Sequence, residues 1–80
     1  MKKILLSEYR ESMGIFIEIN DKYYNVVKNS LHIPYENLLV NYKELLDKSK
    51  KYFIYCKSGM KSKKAVNILS FFGYDVTLVY

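Results

Sequence analysis

Eighty residues suffice for one compact domain, and a chain this short buries only about 60% of its unfolded surface, so a single core must hold it. Half of the residues are hydrophobic and 26% charged, which excludes a disordered tail, and no run approaches the roughly 18 to 20 apolar residues of a bilayer span. The net charge of +5 is lopsided: residues 1–47 carry six basic and seven acidic side chains, residues 48–80 seven lysines against Asp75 alone.

The start, Met1-Lys2-Lys3-Ile4-Leu5-Leu6-Ser7-Glu8, opens like a secretory signal, but its apolar run stops after three residues, too short for an h-region. The expected location is therefore the cytoplasm, with no membrane association. Lys3 to Leu6 is a candidate edge strand, and the polar segment 7–13 has room for one or two helical turns. Ile15-Phe16-Ile17-Glu18-Ile19 is a short, nearly continuous apolar run, as are Tyr52-Phe53-Ile54-Tyr55-Cys56 and Val76-Thr77-Leu78-Val79-Tyr80. Runs of this kind without clean alternation predict strands covered on both faces, as in a parallel sheet. Segment 20–27 is a second candidate for short helical turns, and Ser30 to Ile33 for a short strand ended by Pro34.

Two stretches change period. Leu38, Leu39, Tyr42, Leu45 and Leu46 form one apolar stripe and predict a helix over 38–47. Ala65, Val66, Ile68, Leu69 and Phe72 form another and predict a helix over 62–72, closed by Gly73 as its cap. Strands alternating with helices predict one α/β domain over 1–80, with a central, mainly parallel sheet of four or five strands and helices on both faces.

The single cysteine, Cys56, excludes an internal disulfide, a CxxC redox pair and a multi-cysteine zinc site, and with one histidine no transition-metal site can be assembled. No cofactor is expected. Cys56 ends a predicted buried strand, and Cys56-Lys57-Ser58-Gly59-Met60-Lys61-Ser62 leads into a predicted helix. Ligands of open α/β sheets bind at the carboxyl ends of strands, where helix N-termini present free N–H groups. Gly59 permits the tight or left-handed curl that points successive N–H groups at one anion. A helix N-terminus and nearby lysines lower a thiol pKa, which makes Cys56 a candidate nucleophile at the floor of a shallow pocket, partly exposed. The competing expectation is an inert cysteine packed among Ile54, Val66 and Leu69. Lys63 and Lys64 stand in the first turn of the helix, where cations are disfavoured, and this suggests that an anion is expected nearby.

This loop resembles that of the rhodanese family, C-x-x-G-x-x-[ST] with basic residues commonly at its second and sixth positions. Cys56, Lys57, Gly59, Lys61 and Ser62 fit, with Lys where Arg is common. Phe53-Ile54-Tyr55 before it, Lys63 to Leu69 after it, the Gly73-Tyr74 turn into the last strand and the Ile33-Pro34 segment are also similar to the family. The resemblance implies a single-domain sulfurtransferase in which Cys56 takes sulfane sulfur from a donor as a persulfide and passes it to a thiophilic acceptor. It implies that Lys57, Ser58, Gly59, Met60, Lys61 and Ser62 bind the substrate, and that the donor is a small anion such as thiosulfate or the persulfide of a partner protein.

The chain departs from the family pattern in places. The family's Asp-Val-Arg appears as Glu18-Ile19-Asn20, its Gly-His-Ile falls near Asn25-Val26-Val27 without the His, and the connection between them is a residue or two short. The family's C-terminal segment is not found after Tyr80. His32 stands where the family often has Asn, which points to a structural or surface role. These departures keep a second function open, a non-catalytic module of the same fold binding an anion or an acidic protein. A cysteine phosphatase or arsenate reductase is disfavoured, because phosphatases use C-x5-R and the sixth residue after Cys56 is Ser62. Nucleic acid is disfavoured too, because no aromatic stacking motif interleaves the lysines.

Overall fold

The computed structural model describes residues 1–80. Five strands, β1 (Lys3–Ile4), β2 (Ile15–Glu18), β3 (Leu31–His32), β4 (Lys51–Tyr55) and β5 (Asp75–Val79), form one sheet in the order β1-β5-β4-β2-β3. All four pairings are parallel, so every strand ends at the same edge. The central β4 is flanked by β2 and β5, with Phe16 opposite Phe53 and Ile54 opposite Leu78.

The two helices, α1 (Tyr35–Leu45) and α2 (Met60–Phe71), touch each other and share one face of the sheet. Leu38 of α1 and Ala65, Val66 and Leu69 of α2 close over Ile17, Ile54 and Val76 in the larger core. The other face is covered by two short 3-10 turns, Leu6–Glu8 and Glu11–Met13, where Tyr9 packs on Phe16 and Phe53 with ring centroids 4.9 and 5.2 Å apart. The Tyr9 hydroxyl donates to the Gly14 carbonyl at 2.6 Å, and burial with nearby Glu11 raises its pKa above the ordinary value. The helical cover of the two faces is thus unequal. Strand residues alternate between the two cores, Tyr52, Ile54 and Cys56 facing the helices while Phe53 faces the turns. This double burial is why the strands read as continuous apolar runs.

The helices begin earlier than their stripes suggest. Pro34 starts α1 at Tyr35, its carbonyl accepting the Leu38 N–H at 2.9 Å, and the helix kinks at Asn41. In the first stripe Leu38 and Leu46 are buried, whereas Leu45 is exposed. In the second, Ala65, Val66 and Leu69 are buried, and Phe72 stacks on Tyr42 at 5.4 Å. Gly73 ends α2 at a φ of 91°, and the bonds Tyr74 N–H to Leu69 O and Gly73 N–H to Ser70 O, both 3.0 Å, make a Schellman motif.

The helical turns expected over 20–27 are absent. That segment is an irregular loop running on to Ser30, with Asn25 and Asn29 at φ of 52° and 64°. Asparagine tolerates the left-handed region, and two such residues break any helical run.

Candidate functional site

The parallel sheet brings the ends of β2, β3 and β4 together. The Ile19 N–H donates to the Tyr55 carbonyl at 2.8 Å, and the Ile33 N–H to the Glu18 carbonyl at 3.1 Å. Asn20 and Cys56, 36 positions apart in the chain, therefore leave adjacent strands side by side. Between them lies a cavity of about 380 Å³ lined by Asn20, Asp21, Lys22, Tyr24, Cys56, Lys57, Ser58 and Lys61.

The loop from Cys56 to Met60 is one tight curl. The Gly59 N–H donates back to the Cys56 carbonyl at 3.2 Å, and Gly59 itself adopts a φ of 79° before α2 begins. A Cβ at Gly59 would meet nothing within 4 Å, so the glycine answers the backbone conformation rather than crowding. Ser58 Oγ accepts the Met60 N–H at 3.3 Å, and the Gly59 carbonyl accepts the Lys63 N–H at 3.1 Å. These bonds bend the chain around the cysteine sulfur.

Cys56 Sγ accepts the Ser62 N–H at 3.2 Å, lies 3.3 Å from Ser62 Oγ and 3.8 Å from Ser58 Oγ. In the neutral state the thiol donates to Ser62 Oγ, whose own proton goes to the Gly59 carbonyl at 3.2 Å. On ionisation that hydroxyl can turn its proton to the sulfur. Burial pushes the thiol pKa up, but the Ser62 hydroxyl and N–H, the Ser58 hydroxyl and the Gly59 N–H outweigh it and hold Cys56 below its ordinary value. The activating groups are thus two hydroxyls and two N–H groups, where the sequence pointed to lysines and a ring of N–H groups alone.

The cysteine also departs from the expected partial exposure. It is 3% exposed and belongs to the core beneath α2, with its sulfur reached from the cavity floor. It combines features of the two expectations, buried in the core yet ringed by polar donors.

Of the residues expected to bind substrate, Lys57, Ser58 and Lys61 line the cavity, and Gly59 and Ser62 hold the sulfur. Met60 does neither, its side chain being 68% exposed outside the cavity. The lysines are already engaged. Lys57 Nζ sits 4.9 Å from the Tyr24 ring centroid with Lys22 Nζ 5.9 Å from the same ring, and Lys61 Nζ lies 3.6 Å from Asp21 Oδ1. Lys63 and Lys64 do not line this cavity; Lys63 borders a separate groove with Lys3 and Tyr80, so the anion they suggested finds no support in their placement.

The cavity residues that sequence reasoning did not place at the site are Asp21, Lys22 and Tyr24, together with Asn20, which it noted only as a departure from the family pattern. Asn20 Oδ1 accepts the Lys57 N–H at 2.9 Å, and its carbonyl lies 2.6 Å from His32 Nε2, which must carry the proton there. His32 stacks on Tyr23 at 5.1 Å, in the structural role expected of it. Glu18, fully buried, accepts the N–H groups of Tyr24 at 2.6 Å and Asn25 at 3.3 Å through Oε2, while Oε1 has no partner. The two departures at Glu18 and Asn20 thus form a bracing network of their own. Their neighbourhood with Cys56 follows only from the strand order, which no local pattern reveals.

A family model described as the rhodanese-like domain matches residues 7–80. No curated protein matches the chain. A rhodanese-related protein from Thermoplasma volcanium is 25% identical and superposes with a TM-score of 0.86, covering 99% of this chain and 83% of that one. A protein from Staphylococcus saprophyticus superposes at 0.84 with 20% identity, covering 99% and 86%. The chain also resembles part of a NAD-dependent persulfide reductase from A. fulgidus, with 21% identity and a TM-score of 0.78; 98% of this chain corresponds to 14% of that protein.

Proposed function

The chain belongs to the rhodanese-like domain family, and from that premise we propose that it is a sulfurtransferase carrying sulfane sulfur as a persulfide on Cys56. The observation that carries the reading is the polar setting of a buried sulfur: Cys56 Sγ accepts the Ser62 N–H at 3.2 Å, and hydrogen bonds lower its pKa despite burial. An inert core cysteine has no such shell.

The thiolate attacks the outer sulfur of the donor. With thiosulfate, the S–S bond breaks, sulfite leaves with the electron pair, and Cys56 is left as a persulfide anion. Cyanide or a thiolate then takes the outer sulfur and restores the Cys56 thiolate. Donors already aimed at the sulfur stabilise both anions without reorganising, as in an oxyanion hole. Lys57 and Lys61 sit where they attract an anionic donor, whether thiosulfate or the persulfide of a partner protein. This chemistry needs no metal or organic cofactor, and the reading assigns the chain no nucleic-acid or membrane partner. It suits the cytoplasm, and no helix is long and apolar enough to cross a membrane.

The 3% exposure of Cys56 favours a second reading, a non-catalytic module that binds an anion or acidic protein at the same cavity. Thiocyanate formation from thiosulfate and cyanide separates the two. Saturable turnover that disappears in Cys56→Ser supports the transferase. Absence of turnover in a folded wild-type protein leaves the binding module.

A further inference from the structure

The cavity above Cys56 is not uniformly positive. Lys22 and Lys57 both approach the Tyr24 ring, whereas Asp21 stands on the same wall beside Lys61. A pocket shaped for an inorganic dianion gains nothing from a carboxylate, which repels that charge. The Asp21–Lys61 contact is too long for a hydrogen bond at 3.6 Å and joins groups exposed by 77% and 41%. Such surface pairs are weak and yield readily to another partner. The protein donates no hydrogen bond to either Asp21 oxygen, so lone pairs remain for a bound cation.

Resting on the transferase reading, we infer that the donor is a low-molecular-weight persulfide with an α-amino-acid head, its ammonium at Asp21 and its carboxylate at Lys57 and Lys22. The shape agrees with the charge. Cys56 is 3% exposed at the floor, so the reacting sulfur must arrive on a slender arm. A methylene arm ending in a persulfide does so while its charged head stays among the rim residues, and 380 Å³ accommodates a molecule of that size. In the transfer, the Cys56 thiolate attacks the outer sulfur of R–S–SH, the S–S bond breaks, and R–S⁻ leaves with the electron pair. Cys56–S–SH forms with no net oxidation.

Asp21 is then the residue that sets donor choice. The test is the initial rate of sulfur loading on the whole chain, followed by intact-protein mass spectrometry, with cysteine persulfide, N-acetylcysteine persulfide and thiosulfate as donors. The first two differ in the ammonium group, and comparing their ratio between proteins cancels their intrinsic reactivity. Wild type should favour cysteine persulfide by about two- to fivefold relative to Asp21→Asn, the range of an exposed ion pair. Thiosulfate loading should rise in Asp21→Asn by a similar factor. The exposed position of Asp21 makes misfolding no explanation, and circular dichroism checks it. An identical donor ratio in wild type and Asp21→Asn overturns the assignment while leaving the transferase reading intact. Loading that is unchanged in Cys56→Ser, or absent with every donor, overturns both.

Discussion

Two loops meet over the cavity and differ in how far each depends on the residues around it. The loop 56–60 is held from within: Gly59 N–H to Cys56 O, Met60 N–H to Ser58 Oγ, and Ser62 turned back onto the sulfur it follows by six residues. The loop 20–30 leans on residues beyond it, the buried Glu18 under Tyr24 and Asn25 and His32 on the Asn20 carbonyl, as well as on bonds of its own. Its Tyr23 hydroxyl pins Asn25 Oδ1 and the Ser30 carbonyl at 2.7 and 2.9 Å. The first loop supplies the reacting sulfur and its donors. The second supplies a wall of charge and one clamp, Asn20 on the Lys57 N–H. Chemistry resides in the self-contained loop, and the choice of ligand in the one that depends on its neighbours.

That division is broken most sharply by Cys56→Ser, which should reduce thiosulfate-to-cyanide transfer to background while leaving the far-ultraviolet circular dichroism unchanged. The same variant should flatten one pH dependence. The folded Cys56 pKa is lowered, so between that value and the ordinary one the folded chain binds fewer protons than the unfolded chain. Wild-type stability therefore rises with pH across this window and is lost as pH falls through the folded pKa, a slope that denaturant titrations should find missing in Cys56→Ser.

Glu18→Ala tests the outer loop. It strands the Tyr24 and Asn25 N–H groups and empties a buried site, and should cost about 2–4 kcal/mol in urea unfolding. Hydrogen exchange should quicken at 21–25 before it does at 56–62. Equal loosening of both loops would erase the distinction between them.

Ser62→Ala removes one activating hydroxyl but keeps the N–H, and the Gly59 carbonyl stays satisfied by Lys63. The Cys56 pKa should rise, and transfer at neutral pH should fall about fivefold, the worth of one hydrogen bond, recovering at alkaline pH. An unshifted pH–rate profile would mean that this hydroxyl does not stabilise the thiolate. Lys61→Ala should have the smallest effect, weakening thiosulfate binding about twofold and less at high salt, because the charge is exposed and shared with Asp21.

The same contrast explains what could be read from the sequence. Cys56, Gly59 and Ser62 carry their geometry in local spacing, and each lies at the sulfur as that spacing implied. The alternation of 15–19, 52–56 and 76–80 with two apolar stripes was enough for a parallel α/β sheet. Asp21 and Tyr24 were silent because nothing within ten residues of them says that β2 lies beside β4. The exposure of Cys56 was misjudged for a related reason: a strand-end position suggests access, but the inward phase of β4, shared with Ile54, places the side chain under α2. Lysines near a cysteine in sequence suggest a Coulombic activation, whereas the side chains bonded to the sulfur are the hydroxyls of Ser58 and Ser62.

The most direct test of sulfur carriage on Cys56 is intact-protein mass spectrometry after treatment with thiosulfate and removal of excess reagent. The account predicts one added sulfur atom on the wild-type chain, discharged by cyanide, with none added to Cys56→Ser. A wild-type chain of unchanged mass, or equal addition to Cys56→Ser, would contradict it.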